Sequence, residues 1–211
     1  MRRYILLDSK IFSCLNPYEI ALYTILSKYK NAKGDCFPSR RTLSEKGGFS
    51  ISTYTKYIKE LIKKGLIKVR ANGSQTSNLF SVANIDKGFF IHSDILNKKL
   101  TVYELTVLIY LCSRKNNKNK CYVSQKEIAK ACGMSVREVS IIICRLRKKG
   151  LINTRMQFNL NNRGNYVLEY TVCICNETEI RKELNNELIV IDDINIDMRD
   201  DINIGIIKSI R

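Results

Sequence analysis

Residues 36–67 read CFPSRRTLSEKGGFSISTYTKYIKELIKKGLI, and residues 121–152 read CYVSQKEIAKACGMSVREVSIIICRLRKKGLI. In each stretch a serine opens a helical pattern (Ser39 or Ser124). Glycine interrupts it at Gly47 and Gly48, or at Gly133, and a second serine (Ser50 or Ser135) reopens it. Serine suits a helix start because its side-chain oxygen accepts from the orphan amides of the first turn. Glycine suits the end because it enters the left-handed conformation without a steric cost. Each stretch therefore predicts helix, tight turn, helix. The later helix has its apolar stripe at Tyr54, Ile58 and Leu61, or at Val139, Ile143 and Leu146. It ends at Lys63-Lys64-Gly65 or Lys148-Lys149-Gly150, with cations at the negative end of the helix dipole and glycine just beyond.

The two stretches belong to a longer repeat. Shifted by 85 residues, residues 15–70 lie over residues 100–155 without a gap, and about a third of these 56 positions are identical. Matched pairs include Tyr18/Tyr103, Glu19/Glu104, Cys36/Cys121, Gly48/Gly133 and Leu66/Leu151. The register extends upstream, where YILL at 4–7 faces FFIH at 89–92. A repeat of this length has the size of a small domain.

Upstream of the quoted stretch, Asn16-Pro17-x-Glu19 and Thr101-x-x-Glu104 read as capping boxes, the first with proline at the first helical position. Ser124-x-x-Glu127 and Ser135-x-x-Glu138 read as further boxes. Each leading helix carries an apolar stripe, Ile20, Tyr23 and Leu26 or Leu105, Leu108 and Leu111. Downstream, LIKVR, a turn at 72–74 and NLFSV make a hairpin. LINTRMQFNL, a turn at 161–164 and YVLEYTVCI make its counterpart. Three helices followed by a hairpin form a winged helix. The expected fold is α+β, mostly α: a winged-helix domain over 1–85, a second over 86–175, and an acidic tail over 176–211.

Composition agrees. The formal net charge is +16. Residues 1–175 carry 31 Lys/Arg against 11 Asp/Glu, a net of +20, while residues 176–211 carry 5 against 9. A basic body implies a polyanion partner, with nucleic acid ahead of a membrane surface, since no lipidation motif or polybasic terminus is present. No apolar run is long enough to span a membrane, and the start lacks a signal-peptide pattern, so the chain reads as cytoplasmic. Its eight cysteines form no C-x-x-C pair. They read as small buried hydrophobes, with no metal site expected.

At this point the pattern at 36–67 resembles the helix-turn-helix domains of low-GC Gram-positive phage and plasmid replication proteins and of related transcriptional regulators. The resemblance covers each repeat. It implies a DNA-binding protein whose third helix enters the major groove. The outward N-terminal half of that helix in copy one holds Ile51, Ser52, Thr55, Lys56 and Lys59. Ser39 and Ser50 offer hydroxyls or helix N-termini to phosphates, and Arg40, Arg41, Lys63 and Lys64 also suit phosphates. In the wing, Arg70, Asn72 and Gln75 are in reach of a neighbouring groove or backbone. The corresponding set in copy two is Ser124, Gln125, Lys126, Ser135, Arg137, Ser140, Ile141 and Arg163. The bland alternative is that the lysines form a solvated helix face.

Copy two differs where reading would occur, because Lys56 and Lys59 become Ile141 and Cys144. That face either contacts thymine methyls or serves as a protein interface. Both copies are expected to bind double-stranded DNA, copy one more strongly.

No P-loop pattern occurs, and His92 is the one histidine. Paired-histidine nicking chemistry is thereby excluded, and neither a catalytic centre nor a cofactor is expected. His92 is expected to be structural. Three roles remain: a transcriptional regulator, a plasmid or phage replication initiator, and a partition or architectural adaptor. The first is preferred because no segment of helicase-loader size follows residue 175. No sensor domain for a small-molecule effector is assigned.

The tail has a helical pattern over 177–188, then alternating isoleucines at 194–198 and 202–206 around Arg199-Asp200-Asp201. Two such strands are marginal alone. They are expected to pack on the second domain or on a second copy of the chain. Dimerisation through the tail predicts that residues 1–175 sediment as a monomer; a dimer as tight as that of the full chain would remove the idea.

Overall fold

The computed structural model describes residues 3–70, 78–83, 85, 87–158 and 166–174. The tail helix and hairpin expected after residue 175 lie outside these residues, as do the wing-tip positions Asn72, Gln75 and Arg163.

The first copy runs β1 (Tyr4–Leu7), α1 (Ile11–Cys14), α2 (Pro17–Tyr29), β2 (Asp35–Cys36), α3 (Arg40–Gly47), α4 (Ile51–Lys63), β3 (Ile67–Arg70) and β4 (Leu79–Val82). The second repeats it as β5 (Phe89–His92), a 3₁₀ turn over Ser93–Asn97, α5 (Val102–Arg114), β6 (Lys120–Cys121), α6 (Gln125–Cys132), α7 (Val136–Lys148), β7 (Ile152–Phe158) and β8 (Tyr166–Val172). The fold is two winged helices, as the repeat predicts.

The helix ends form where the sequence placed them. Asn16, Ser39, Ser50, Thr101, Ser124 and Ser135 all cap with their side chains. The Asn16/Glu19, Thr101/Glu104 and Ser135/Glu138 boxes close in both directions. The Ser124/Glu127 box does not. Ser124 accepts from the Glu127 amide, but the Glu127 carboxylate accepts from the Tyr110 hydroxyl at 3.0 Å and lies 3.6 Å from Arg114. A tertiary partner on α5 has won over the local amide.

The wings are larger than hairpins. In each, the two-residue strand after the first helix adds a third strand, giving the orders β2-β4-β3 and β6-β8-β7. Cys36 faces Phe80 and Cys121 faces Tyr170 in these pairings, all four buried. Two residues are too few for an alternating pattern to show, so sequence periodicity misses them.

The cysteines divide. Cys36, Cys112, Cys121 and Cys132 are buried, as expected, but Cys14, Cys144 and Cys173 are exposed. Burial pushes the Cys36, Cys121 and Cys132 thiols up to about 12, which leaves them protonated and unreactive. His92 caps the 3₁₀ turn by accepting from the Asp94 amide and packs edge-on against Tyr4 at 5.2 Å. That is the structural role expected of it.

α2 and α5 are buried on nearly every side: Ile20, Leu22, Tyr23, Ile25 and Leu26 on one, Leu105, Val107, Leu108, Ile109 and Leu111 on the other. A helix apolar all round belongs inside a core. Each packs on the third helix of its own copy with one face, and α2 and α5 pack on each other with another. The two copies thus share one hydrophobic cluster. Burying each such side chain contributes about 2 kcal/mol.

Each copy also ties the C-terminal end of its third helix to the N-terminal end of its first. The Glu19 carboxylate accepts from the Asn16 amide at 2.8 Å and from the Lys64 ammonium at 2.6 Å. Lys64 also donates to the Cys14 carbonyl at 2.9 Å. In copy two, Glu104 accepts from the Thr101 amide at 2.9 Å and from Lys149 at 2.8 Å, and Lys149 reaches the Lys99 carbonyl at 3.3 Å. Both carboxylates are buried and both lysines remain partly exposed. Burial pushes Glu104 up, but the Lys149 ammonium and the Thr101 amide outweigh it and hold the carboxyl below its ordinary value.

A carboxyl held low in the fold contributes stability that is complete above its unfolded value and lost as the pH falls through the folded one. Glu104→Gln is therefore expected to cost about 2 kcal/mol at pH 7, since it leaves Lys149 without its counter-charge. Thermal melts at pH 7 would then show a Tm lower by about 4–8 °C. The variant should also lose less stability than the parent between pH 5 and pH 3. Identical melting profiles over that range would contradict the clamp.

Candidate nucleic-acid interface

The turn between α3 and α4 sets the angle at which α4 is presented. Gly48 sits at φ +66°, a left-handed conformation. A Cβ on Gly47 would meet the Phe49 ring, so that site has no room for a larger residue. Copy two solves the same turn differently. Gly133 holds φ +63°, and Cys132 fits at the position of Gly47 because Met134 replaces Phe49.

α4 then shows a two-sided face. Tyr54, Ile58 and Leu61 are buried, while Ile51, Ser52, Thr55, Lys56, Lys59 and Lys63 are exposed on the other side. Ile51 is 57% exposed, so its side chain is available for contact at the start of this face. Lys56 lies 5.3 Å from the Tyr57 ring, a cation–π contact that holds the ammonium along the outer face. The Thr55 hydroxyl donates back to the Ile51 carbonyl.

On α7 the exposed positions are Val136, Arg137, Glu138, Ile141, Cys144, Arg145, Arg147 and Lys148, with Ser140 half-buried. Arg137 and Ile141 occupy the places of Ser52 and Lys56 one repeat earlier. The cations of copy two thus cluster late in the helix, those of copy one in its middle.

The four capping serines are committed to the fold. Ser39, Ser50, Ser124 and Ser135 each accept from the amide three residues on. Ser135 also donates to the Glu138 carboxylate at 2.7 Å, and this carboxylate covers the N-terminus of α7. That backbone bond to Ser135, with the hydroxyl bond beside it, holds Glu138 below the ordinary carboxylate value. Arg41 pairs with Glu45 at 2.7 Å on the surface, and Arg40 is exposed beside it. Lys64 belongs to the Glu19 clamp, whereas Lys63 points outward. Arg70 is exposed at the end of β3, Lys126 is exposed on α6 and Gln125 is half-buried there.

Aromatic packing adds a feature to this surface that helical periodicity does not reveal. Tyr18, at the start of α2, stacks on Tyr57 of α4 with ring centroids 5.0 Å apart. It also meets Tyr103, its own counterpart one repeat later, edge-on at 5.9 Å. Tyr103 in turn lines a cavity with Glu138 and Ile142 of α7. An aromatic chain thus runs from α4 through α2 to the start of α5, beside α7. The identity of Tyr18 and Tyr103 in the repeat was the available signal. Beside Tyr103, copy two has a cavity of about 230 Å³ lined by Met134, Glu138, Ile141, Ile142 and Arg145. The bulkier Phe49 and Tyr57 stand at the Met134 and Ile142 positions in copy one.

Among the described residues, no group of three or more His, Cys, Asp or Glu could hold a metal ion, and no helix is long and apolar enough to cross a membrane.

Two helix-turn-helix units, each closed by a three-stranded wing, define a DNA-binding protein of the winged-helix class. The chain belongs to the helix-turn-helix domain family, whose model matches it twice, over residues 14–67 and 98–152. Each match runs from just before α2 or α5 to the first residue of β3 or β7. A search of curated proteins found no match.

Proposed function

We propose that this protein binds double-stranded DNA at specific sequences and acts as a transcriptional regulator. The observation that carries the reading is the exposed α4 face, Ile51, Ser52, Thr55, Lys56 and Lys59, set on a helix-turn-helix frame with a net charge of +20 over residues 1–175. Arginine and lysine reach guanine edges, and isoleucine packs against thymine methyls. Arg137, Ser140 and Ile141 supply the second reading set. Arg40, Arg41, Lys63, Arg70 and Lys126, with the helix starts at Ser39, Ser50, Ser124 and Ser135, meet phosphates, which position the protein without reading sequence. Gln125 stands with Lys126 on the helix that crosses the backbone. Asn72, Gln75 and Arg163 extend the contacts from the wings.

Regulation is favoured because two readers in one chain suit a single long operator. The second reading is a phage or plasmid replication initiator, supported by the resemblance of residues 36–67 to the helix-turn-helix domains of such proteins. The exposed Val136 and Ile141 also suit an adaptor in which copy two docks a protein, and the tail suits a homodimer.

Selection of genomic fragments by the full-length chain at physiological salt separates these roles. A single site over a promoter is the expected result; clustered direct repeats at an origin would make it an initiator. On the selected site, Lys56→Ala and Lys59→Ala should each cost about 1–3 kcal/mol if they read bases, or lower the salt slope by about 1 if they meet phosphates. Unchanged affinity in both, with binding abolished by Arg137→Ala, would reverse the ranking of the two copies.

A further inference from the structure

We infer that the DNA target of this chain is an inverted repeat with two unlike arms, one read by α4 and the other by α7. The inference rests on the DNA-binding reading above and names the class of sequence bound.

Two copies of a module in one chain can be related by translation or by rotation. Translation places unlike faces in contact, whereas a two-fold rotation places like faces in contact, so that a residue near the axis meets its own counterpart. Four features of the fold are of the second kind. First, β1 and β5 are counterparts in the repeat, and they pair antiparallel with Tyr4 opposite His92 and Leu7 opposite Phe89. Each end of one strand thus meets the far end of its equivalent. Second, Tyr18 touches Tyr103, the same residue one repeat later. Third, α2 packs against α5, its counterpart, and the Thr106 hydroxyl crosses to the Pro17 carbonyl. Fourth, α1 packs on α6, while the 3₁₀ turn over Ser93–Asn97, which stands where α1 does, packs on α3. The exchange is reciprocal, as a two-fold requires.

Each third helix stands beside the Tyr18–Tyr103 contact that marks this axis. Tyr57 of α4 stacks on Tyr18, and Tyr103 lines one cavity with Glu138, Ile141 and Ile142 of α7. Both reading helices therefore flank the same end of the α2–α5 pair. Duplex DNA has local two-fold axes of its own, and two helices related by such an axis read the same sequence on opposite strands, an inverted repeat. The side chains they present are not the same. α4 offers Ser52, Thr55, Lys56 and Lys59, where α7 offers Arg137, Ser140, Ile141 and Cys144. The arms must differ accordingly, and the chain then binds in one orientation only.

The test is selection from random duplexes with the full-length chain, repeated with Arg137→Ser, Ser140→Thr, Ile141→Lys and Cys144→Lys combined. These positions lie along α7, and the changes give it four of the five reading residues of α4, with Val136 already an aliphatic side chain at the position of Ile51. The parent should select two unlike arms. The variant should select a palindrome whose two arms both match the α4 arm. A duplex with those arms in direct orientation should bind at least about a hundredfold more weakly, because one helix then faces several mismatched base pairs. Direct-repeat arms would overturn the two-fold reading while leaving specific DNA binding intact. An unchanged second arm in the variant would overturn the assignment of that arm to α7. Failure of the parent to enrich any sequence would overturn both the inference and the function it rests on.

Discussion

A buried carboxylate holds each copy together at the point where its first and third helices meet. Glu19 and Glu104 close the N-terminal turn of the first helix with one oxygen and draw in the lysine that ends the third. The third helix carries the exposed face proposed to read DNA, and this contact fixes its end against the first helix. A buried carboxylate without a partner is strongly unfavourable. Here an amide and an ammonium satisfy it in both copies. The left-handed glycines that follow, at φ +72° for Gly65 and +68° for Gly150, turn the chain at once into the wing. Leu66 and Leu151 then bond back to Leu61 and Leu146 and finish the helix ends.

Around these two clamps the copies have kept their frame and exchanged their surfaces. The frame is the apolar α2–α5 pair, which neither copy could expose to water alone. Twelve isoleucine, leucine, tyrosine and valine positions on those two helices are buried, and the two helices pack on each other and on their own third helices. Surfaces have diverged where the frame allows it. Phe49 and Tyr57 became Met134 and Ile142, and Lys56 and Lys59 became Ile141 and Cys144. The first pair of changes opens a cavity and the second alters the chemistry of the exposed face, and neither disturbs the clamp.

Most of the local structure was legible in the sequence because its causes are local. A capping side chain bonds to an amide three residues away, and a stripe follows from 3.6 residues per turn. Hence the helix starts at Asn16, Ser50, Thr101 and Ser135 and the buried Tyr54, Ile58 and Leu61 fall where expected. What escaped was set at long range. The patterns at 4–7 and 89–92 show that two equivalent strands exist, but not that they pair with each other. Glu127 looked like a cap and bonds across to α5, and Lys64 looked like a phosphate contact and belongs to Glu19. Among the candidate site residues, those on α4 and α7 were readable from helical phase alone. The aromatic chain of Tyr57, Tyr18 and Tyr103 needed the packing of the two copies to be known.

In the proposed complex α4 and α7 engage one duplex at the same time from either side of the internal axis. The most direct test is photo-crosslinking from equivalent positions, with the reactive residue placed at Lys56 in one preparation and at Ile141 in another, on the selected DNA site. Crosslinks to bases are expected from both positions, on opposite sides of the site's centre and on opposite strands. Crosslinks from position 56 alone, with position 141 silent on the same duplex, would contradict it.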